Sequence, residues 1–384
     1  MQAIKLLTIL IALSLALLAG AAAALSQPIP IPSPPALGAD SYILMDYDSE
    51  RVLVKTNIDQ RHDPASLTKM MTAYVVFNEL ESGHIALDDR VSVSKKAWRE
   101  PGSRMFIEVG DEVSVEALLQ GMIVQSGNDA SVALAEYVAG TESTFAQVMN
   151  QYAQALGMTH THYVNATGLP NPKHYTTARD TAILAQALIR DFPERYQWFA
   201  EKKYAYNGIE QHNRNDLLWR DPSVDGIKTG HTEEAGYCLA ASAEREGMRL
   251  ISVVMGAGSE TARISDSQAL LNYGFRFFQT HRLYQAGQTL TKTRVWKGAV
   301  QMLPLGLTHD LFVTIPQRQY DNLKASMTVH SLLMAPVERG ERYGKVKVGL
   351  NGQIVSSAPL VALENVSEGS IWQRMKDEVL LMLQ

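Results

Sequence analysis

Pro64-Ala65-Ser66-Leu67-Thr68-Lys69, followed at once by Met70-Met71-Thr72-Ala73-Tyr74-Val75-Val76-Phe77, is the stretch around which the chain is organised. It reads as the first turn of a buried helix, with a proline just ahead and an apolar run behind. On a helix Ser66 and Lys69 share one face, with side chains in reach of each other. A serine hydroxyl is a poor nucleophile until a base takes its proton. An amine three residues away serves once its own proton has been driven off. Alone, Ser-x-x-Lys is a weak pattern, and a solvated helix start explains it equally well. Ser92-Val93-Ser94-Lys95 matches too, but Arg90-Val91-Ser92-Val93 alternates like a strand, which would send the two side chains to opposite faces. What distinguishes Ser66 lies further along the chain.

The amino terminus, residues 1–26, reads as a signal peptide. Lys5 supplies a thin positive region, Leu6 to Leu18 an apolar core, and Ala21-Ala22-Ala23-Ala24-Leu25-Ser26 small residues for cleavage near Ser26–Gln27. An uncleaved signal anchor is the rival reading, since Leu6 to Ala24 is nearly long enough to span a bilayer. Either way the remainder is exported. Residues 27–40 open with Gln27-Pro28-Ile29-Pro30-Ile31-Pro32, a Pro-rich lead-in that favours extended polyproline II.

The rest is long enough for one large and one small domain. Net charge is −5 with both signs mixed, which argues against nucleic acid as a partner. Cys238 is the single cysteine, so no internal disulfide forms and stability must come from the core. It falls in a strand-like run, Gly236 to Ala240, and is assigned to packing. The ten histidines contain no His-x-x-x-His pair in a helical run, so a metal peptidase is disfavoured, and neither metal nor cofactor is expected.

Residues 41–282 form the expected large domain. Ser41 to Asp46 and Arg51 to Lys55 flank a polar turn as a hairpin. Arg99-Glu100-Pro101-Gly102-Ser103-Arg104 is a loop, either a flap over a site or an ordinary surface loop. Ser114 caps a helix over Val115–Val124. Gln125-Ser126-Gly127-Asn128 breaks it, and a second helix follows from Asp129. The glycine permits a tight turn that sets Ser126 beside Asn128, although a capped helix junction has the same composition. Further helices run from Thr144 to Leu156 and from Ala178 to Ile189. The second starts with a capping box, Thr177 to Asp180, which makes Asp180 structural. Then comes Val224-Asp225-Gly226-Ile227-Lys228-Thr229-Gly230-His231-Thr232, with a hairpin over Ala235–Ala243 and Met248–Ala257 behind it. An edge-strand lysine commonly guards against aggregation. That does not account for Thr229-Gly230, where glycine lets a backbone approach a ligand closely.

Three elements thus stand in order: Ser66-x-x-Lys69, Ser126-x-Asn128 and Lys228-Thr229-Gly230, a combination known from β-lactamases and penicillin-binding proteins. From about Ser41 to the C-terminus the chain resembles the low-molecular-mass, type 5 penicillin-binding proteins, serine D-alanyl-D-alanine carboxypeptidases. The resemblance extends to Asn213-Arg214-Asn215 and to Asn272-Tyr273-Gly274-Phe275-Arg276-Phe277-Phe278. It implies an α/β fold: a penicillin-recognising, β-lactamase-like domain with an antiparallel sheet and helices on both sides, followed by a small all-β domain. It implies Ser66 as acylated nucleophile, Lys69 as its base, and Ser126 as proton relay to the leaving amine. Asn128 would bond the substrate peptide. Lys228 and Thr229 would hold its carboxylate, with Arg263 and Arg214 nearby. The backbone N–H groups of Ser66 and His231 would form the oxyanion hole. Repulsion between two lysines in one cleft would lower the pKa of the less solvated one, freeing Lys69 as base while Lys228 stays charged.

Past about Leu283 helical periodicity fades. Short β-like runs at Thr293–Trp296, Leu311–Ile315, Leu323–Val329 and Lys345–Val348 suggest a small β-sandwich over 283–366. Residues 367–384 end in an amphipathic helix from Ile371. Its apolar face holds Ile371, Trp372, Met375, Val379, Met382 and Leu383, with Gln373, Arg374, Lys376 and Asp377 opposite. In the family the equivalent end lies on the membrane surface; the other reading packs it on its own domain. The leading function is hydrolysis of the terminal D-Ala-D-Ala bond of peptidoglycan pentapeptides, with β-lactams as inhibitors, in the periplasm at the outer face of the cytoplasmic membrane. The alternative is a non-catalytic penicillin-recognising module that binds wall or protein partners. Keeping both lysines favours the enzyme.

Overall fold

The computed structural model describes residues 31–330 and 332–383; the expected signal peptide and the first residues of the lead-in lie outside them. Two compact units result. One is Pro34–Gln288 with Leu307–Thr314; the other is chiefly Thr289–Gly306 and the chain from Ile315 onward.

The larger unit is built on a five-stranded sheet in the order Val52–Thr56, Ser41–Asp46, Met248–Ala257, Gly236–Arg245, Val224–Thr232. Neighbours are antiparallel throughout. Strand residues alternate between two cores, as a period of two requires. Ile43, Met45, Ile251, Val253 and Met255 enter one core, while Tyr42, Leu44, Leu250 and Val254 enter the other. With helices on both faces, the strands read as continuous apolar runs rather than alternating ones. The helix Glu260–Phe277 contributes Ile264, Leu270 and Leu271 to the second core. The first is filled largely by the helices Thr68–Glu81, Val115–Val124, Asn128–Ala139, Glu142–Ala155 and Ala178–Asp191. Thr68–Glu81 is buried from Thr68 to Phe77 without a break, which explains its unpatterned apolar sequence.

Two local expectations change. Ser66 lies in a 3₁₀ turn, Ala65–Leu67, that leads into the α-helix at Thr68. The capping box at Thr177 is half made. Thr177 accepts from Asp180 N, but Asp180 Oδ2 turns to His160 N and Thr161 Oγ1 and pins the preceding loop. Asp180 is structural by that route.

In the smaller unit the strands hydrogen-bond into one six-stranded sheet that includes Met302–Gly306 and Gln353–Ala362. Pro304 and Pro359 interrupt those two strands in sequence and hide them from a pattern search. Leu311–Pro316, most of which belongs to the larger unit, pairs there with Phe278–Tyr284 in a two-stranded ladder. The closing helix, Ile371–Met382, is docked through its polar side. Asp377 is buried, accepting from Lys297 N at 2.6 Å and Arg294 Nη2 at 3.1 Å, so the side opposite the apolar face is the docked one.

Candidate active site

Lys69 is fully buried at the start of its helix, and three oxygens surround its amine. Nζ lies 3.0 Å from Ser66 Oγ, 2.7 Å from Asn128 Oδ1 and 2.6 Å from Thr167 O. Asn128 Nδ2 donates to Pro101 O at 2.5 Å, which fixes the amide so that its oxygen faces Lys69. Burial pulls the Lys69 pKa from 10.5 down to about 7; Asp129 and Glu100 offset part of this and Arg214 adds to it. A neutral amine has two N–H donors and one lone pair. Thr167 O and Asn128 Oδ1 can only accept, so they take both donors. The lone pair is left for the Ser66 hydroxyl, the geometry a general base needs.

Thr167 was not singled out in the sequence. Its loop is held by Asn165 Oδ1, which accepts from Gly168 N at 2.7 Å and Thr167 N at 3.2 Å. The chain at Gly168 has φ +87°, and an added Cβ would lie 1.7 Å from Ala65 O. His174, 2% exposed, braces the same loop. Val164 N donates to its Nδ1 at 3.2 Å, which leaves the ring proton on Nε2 to donate to Thr68 Oγ1 at 2.8 Å. Burial pulls this imidazole from 6.5 down to about 4.

Ser126 sits between the two helices at φ +68°, and its buried Oγ has no hydrogen-bond partner among the described residues. Such a backbone in a non-glycine residue is a mark of a constrained site. Asn128 N donates to Ser103 O at 2.7 Å, and the Asp129 carboxylate accepts from Met105 N and Phe106 N. The Arg99–Arg104 segment is therefore tied directly to the residues beside Ser66.

On the facing strand Lys228 is 3% exposed, and Nζ donates to Thr229 O at 3.2 Å. No carboxylate pairs with it among the described residues. Burial, then Lys69, Arg214 and Arg263, push its pKa well below the usual value. Burial thus depresses both lysines, and repulsion between them does not single out Lys69 as the sequence reading supposed. At Gly230 a Cβ would stand 3.0 Å from Pro64 O and 3.3 Å from Ser66 N. The close approach that glycine permits here is to the chain's own Ser66 turn, and it draws the strand carrying His231 against the nucleophile. The His231 ring stacks on Tyr237 with centroids 4.0 Å apart, and Arg263 lies over the Tyr237 ring. Asn213 and Asn215 tie the loop bearing exposed Arg214 to Glu201 O and Gly226 O. Cys238 packs in the interior with its thiol pushed up to about 11. Ser66, Ser126, Arg214, Thr229, His231 and Arg263 open on one cleft of about 180 Å³.

The three sequence elements therefore converge. Thr167, Asn165, His174, Asp129, Tyr237 and Glu260 were missed. Asn165-Ala166-Thr167-Gly168 carries the signal of an Asx turn, but Thr167 acts through its carbonyl, which any residue supplies.

Comparison with known proteins agrees with this arrangement. Residues 29–259 match the family model described as D-alanyl-D-alanine carboxypeptidase, and residues 278–368 the one described as penicillin-binding protein 5, C-terminal domain. D-alanyl-D-alanine carboxypeptidase DacC of Escherichia coli K12 is 46% identical over 355 residues, 90% of this chain and 89% of that one. DacA of the same organism is 42% identical over 356 residues, 91% and 88% of the two chains. Penicillin-binding protein 5 of Haemophilus influenzae superposes with a TM-score of 0.85 at 43% identity, covering 88% of this chain and 100% of that one. With Ser66, Lys69, Ser126, Asn128 and Lys228 gathered about one cleft, this chain belongs to the D-alanyl-D-alanine carboxypeptidase family, in its penicillin-binding protein 5 branch.

Proposed function

We propose that the chain hydrolyses the terminal D-Ala-D-Ala bond of peptidoglycan pentapeptides through an acyl-enzyme on Ser66, and that β-lactams acylate the same serine. The observation that carries this reading is the buried Lys69 amine, 3.0 Å from Ser66 Oγ and drawn down to about 7, where its neutral, lone-pair-bearing form is well populated. Lys69 takes the serine proton as Oγ attacks the penultimate D-alanine carbonyl. The N–H groups of Ser66 and His231 hold the resulting oxyanion. Ser126 passes a proton to the departing D-alanine amine as the C–N bond breaks, and water then cleaves the ester. Asn128 exchanges its Pro101 contact for the substrate peptide. Lys228, whose charged form a substrate carboxylate favours, anchors it with Thr229 on the strand that Gly230 seats, and Arg263 and Arg214 lie beyond.

The same reading assigns the chemistry to residues 41–282 and a spacer or partner-binding role to 283–366. Residues 1–26 direct export to the periplasm. The helix in 367–384 rests on the outer face of the cytoplasmic membrane. In support, Trp372, Met382 and Leu383 are each about 80% exposed, with Ile371, Met375 and Val379 beside them. No helix among the described residues is long and apolar enough to cross a membrane. A docked polar side and a bare apolar side suit a surface anchor, since buried apolar area drives such binding.

The test is D-alanine release from a pentapeptide together with labelling by a fluorescent penicillin. Wild type should do both, and Ser66→Ala should do neither while keeping its fold. Lys228→Ala should lose on the order of a hundredfold in acylation. Labelling that survives in Ser66→Ala overturns the nucleophile. Truncation after Ser370 should release the protein from membranes with activity on soluble peptide intact; sedimentation with membranes after truncation overturns the anchor.

A further inference from the structure

Arg263 is buried to 3% exposure beside the cleft, yet its charge is poorly compensated from within. Its two contacts to backbone carbonyls, Gly230 O and Arg214 O, are long at 3.5 Å, and its Nε has no hydrogen-bond partner among the described residues. The one short contact is Glu260 Oε1, 2.5 Å from Nη2. Glu260 is 59% exposed at the rim, on the first turn of the helix that carries Arg263. It is also the single carboxylate among the residues lining this cleft, where Arg214 and Arg263 are the lining cations and Lys228 lies buried behind. A site built to receive a terminal carboxylate thus holds one of its own, and that carboxylate is open to solvent.

Resting on the function proposed above, we infer that Glu260 is a specificity-determining residue. It occupies Arg263 in the free enzyme and competes with the substrate's terminal carboxylate for the same guanidinium. Opposite charge at the rim lowers the net pull of the cleft on any anion, so only a ligand that also satisfies Lys228 and Thr229 displaces it. Productive binding is thereby restricted to peptides whose carboxylate reaches the strand, at a cost in affinity. The bland account, a glutamate favoured by a helix N-terminus and paired at i,i+3, predicts a change in melting temperature and none in substrate affinity.

The experiment is steady-state D-alanine release by wild type, Glu260→Gln and Glu260→Asp. Glu260→Gln should lower KM by about 3- to 10-fold with kcat near that of wild type, and Glu260→Asp, which keeps the charge, should restore the KM. In parallel, calorimetry on full-length Ser66→Ala, with and without Glu260→Gln, measures the Kd of a D-Ala-D-Ala peptide and of its terminal carboxamide. Glu260→Gln should tighten the carboxylate peptide alone. An unchanged or higher KM, or equal tightening of both peptides, overturns the inference. Should wild type release no D-alanine, the proposed function fails, and the calorimetry still decides the role of Glu260.

Discussion

The Thr167 carbonyl oxygen lies 2.6 Å from Lys69 Nζ, and this contact decides what the rest of the amine can do. Together with Asn128 Oδ1 it absorbs the two donors of a neutral lysine and aims the lone pair at Ser66. A protonated lysine in the same place has a third N–H directed at Oγ and cannot accept the serine proton. The charge state of Lys69, near 7 because of burial, therefore gates attack.

Acylation should rise with pH through a limb near 7 and fall about tenfold per unit below it. Lys228 acts in the opposite direction. A bound carboxylate favours its charged form, so binding takes up a proton and affinity falls as pH rises. In kcat/KM the gain from Lys69 as pH rises is therefore opposed by the loss of charge on Lys228. Single-turnover acylation by a penicillin across pH 5 to 9 measures the acid limb; a flat profile would remove Lys69 from the role of base.

Gly168→Ala should damage both the fold and the chemistry. The backbone there has φ +87°, and the new methyl would meet Ala65 O at 1.7 Å, next to Ser66. A positive-φ alanine alone costs on the order of 1 kcal/mol, and the clash must displace either the Ser66 turn or the Thr167 loop. A shift of about 1 Å between Lys69 and Ser66 is worth about a hundredfold in rate. Urea melts and acylation rates together check this. A variant that is less stable but acylates normally would show that the loop does not set the position of Lys69.

How much of this was legible in sequence follows from the kind of group involved. Ser66, Lys69, Asn128 and Lys228 act through side chains at short fixed spacings, and the motifs revealed them. The central hairpins and capped helices were legible because Ser114 and Thr177 sit where orphan N–H groups need an acceptor. Thr167 was invisible because a main-chain oxygen carries no residue signature. Glu260 looks like any glutamate on a first helical turn, and its significance depends on the burial of Arg263. Asp377 lies opposite the apolar face as read, but its burial was not legible, because helical periodicity separates polar from apolar residues without saying which side is docked. Pro304 and Pro359 concealed two strands that tertiary pairing nevertheless forms.

His174 should make the larger unit acid-sensitive in a defined window. In the folded chain it stays neutral down to about 4, and unfolded it takes a proton at about 6.5. The unfolded state thus binds more protons between those values, so stability falls as pH drops from about 6.5 to about 4 and is unaffected by this group outside that range. The full loss is on the order of 3 kcal/mol. His174→Gln, which keeps a donor for Thr68 and cannot titrate there, should show a smaller decline between pH 7 and 4 in denaturant titrations. An equal decline would assign the acid sensitivity to other groups.

The last prediction concerns the lifetime of a β-lactam adduct. Attack on the lactam needs what attack on the peptide needs, a neutral Lys69 and an oxyanion hole, so acylation should proceed. Hydrolysis of the ester is a separate step that needs a water activated by a base. Class A β-lactamases supply a glutamate for it. Among the described residues lining this cleft the single carboxylate is Glu260, and it is engaged with Arg263. Asp129 is near Lys69 but spends its oxygens on the backbone of Met105 and Phe106. Lys69 must then serve both steps, and a penicilloyl group in a cleft of about 180 Å³ stands where the water must approach. The adduct should persist long enough to appear on a gel and as a mass increase equal to one intact β-lactam. Raising the pH from 6 to 8 should shorten its life, because the same amine must be neutral to activate water. Fast penicillin turnover with no detectable adduct would mean that a second base operates in this site.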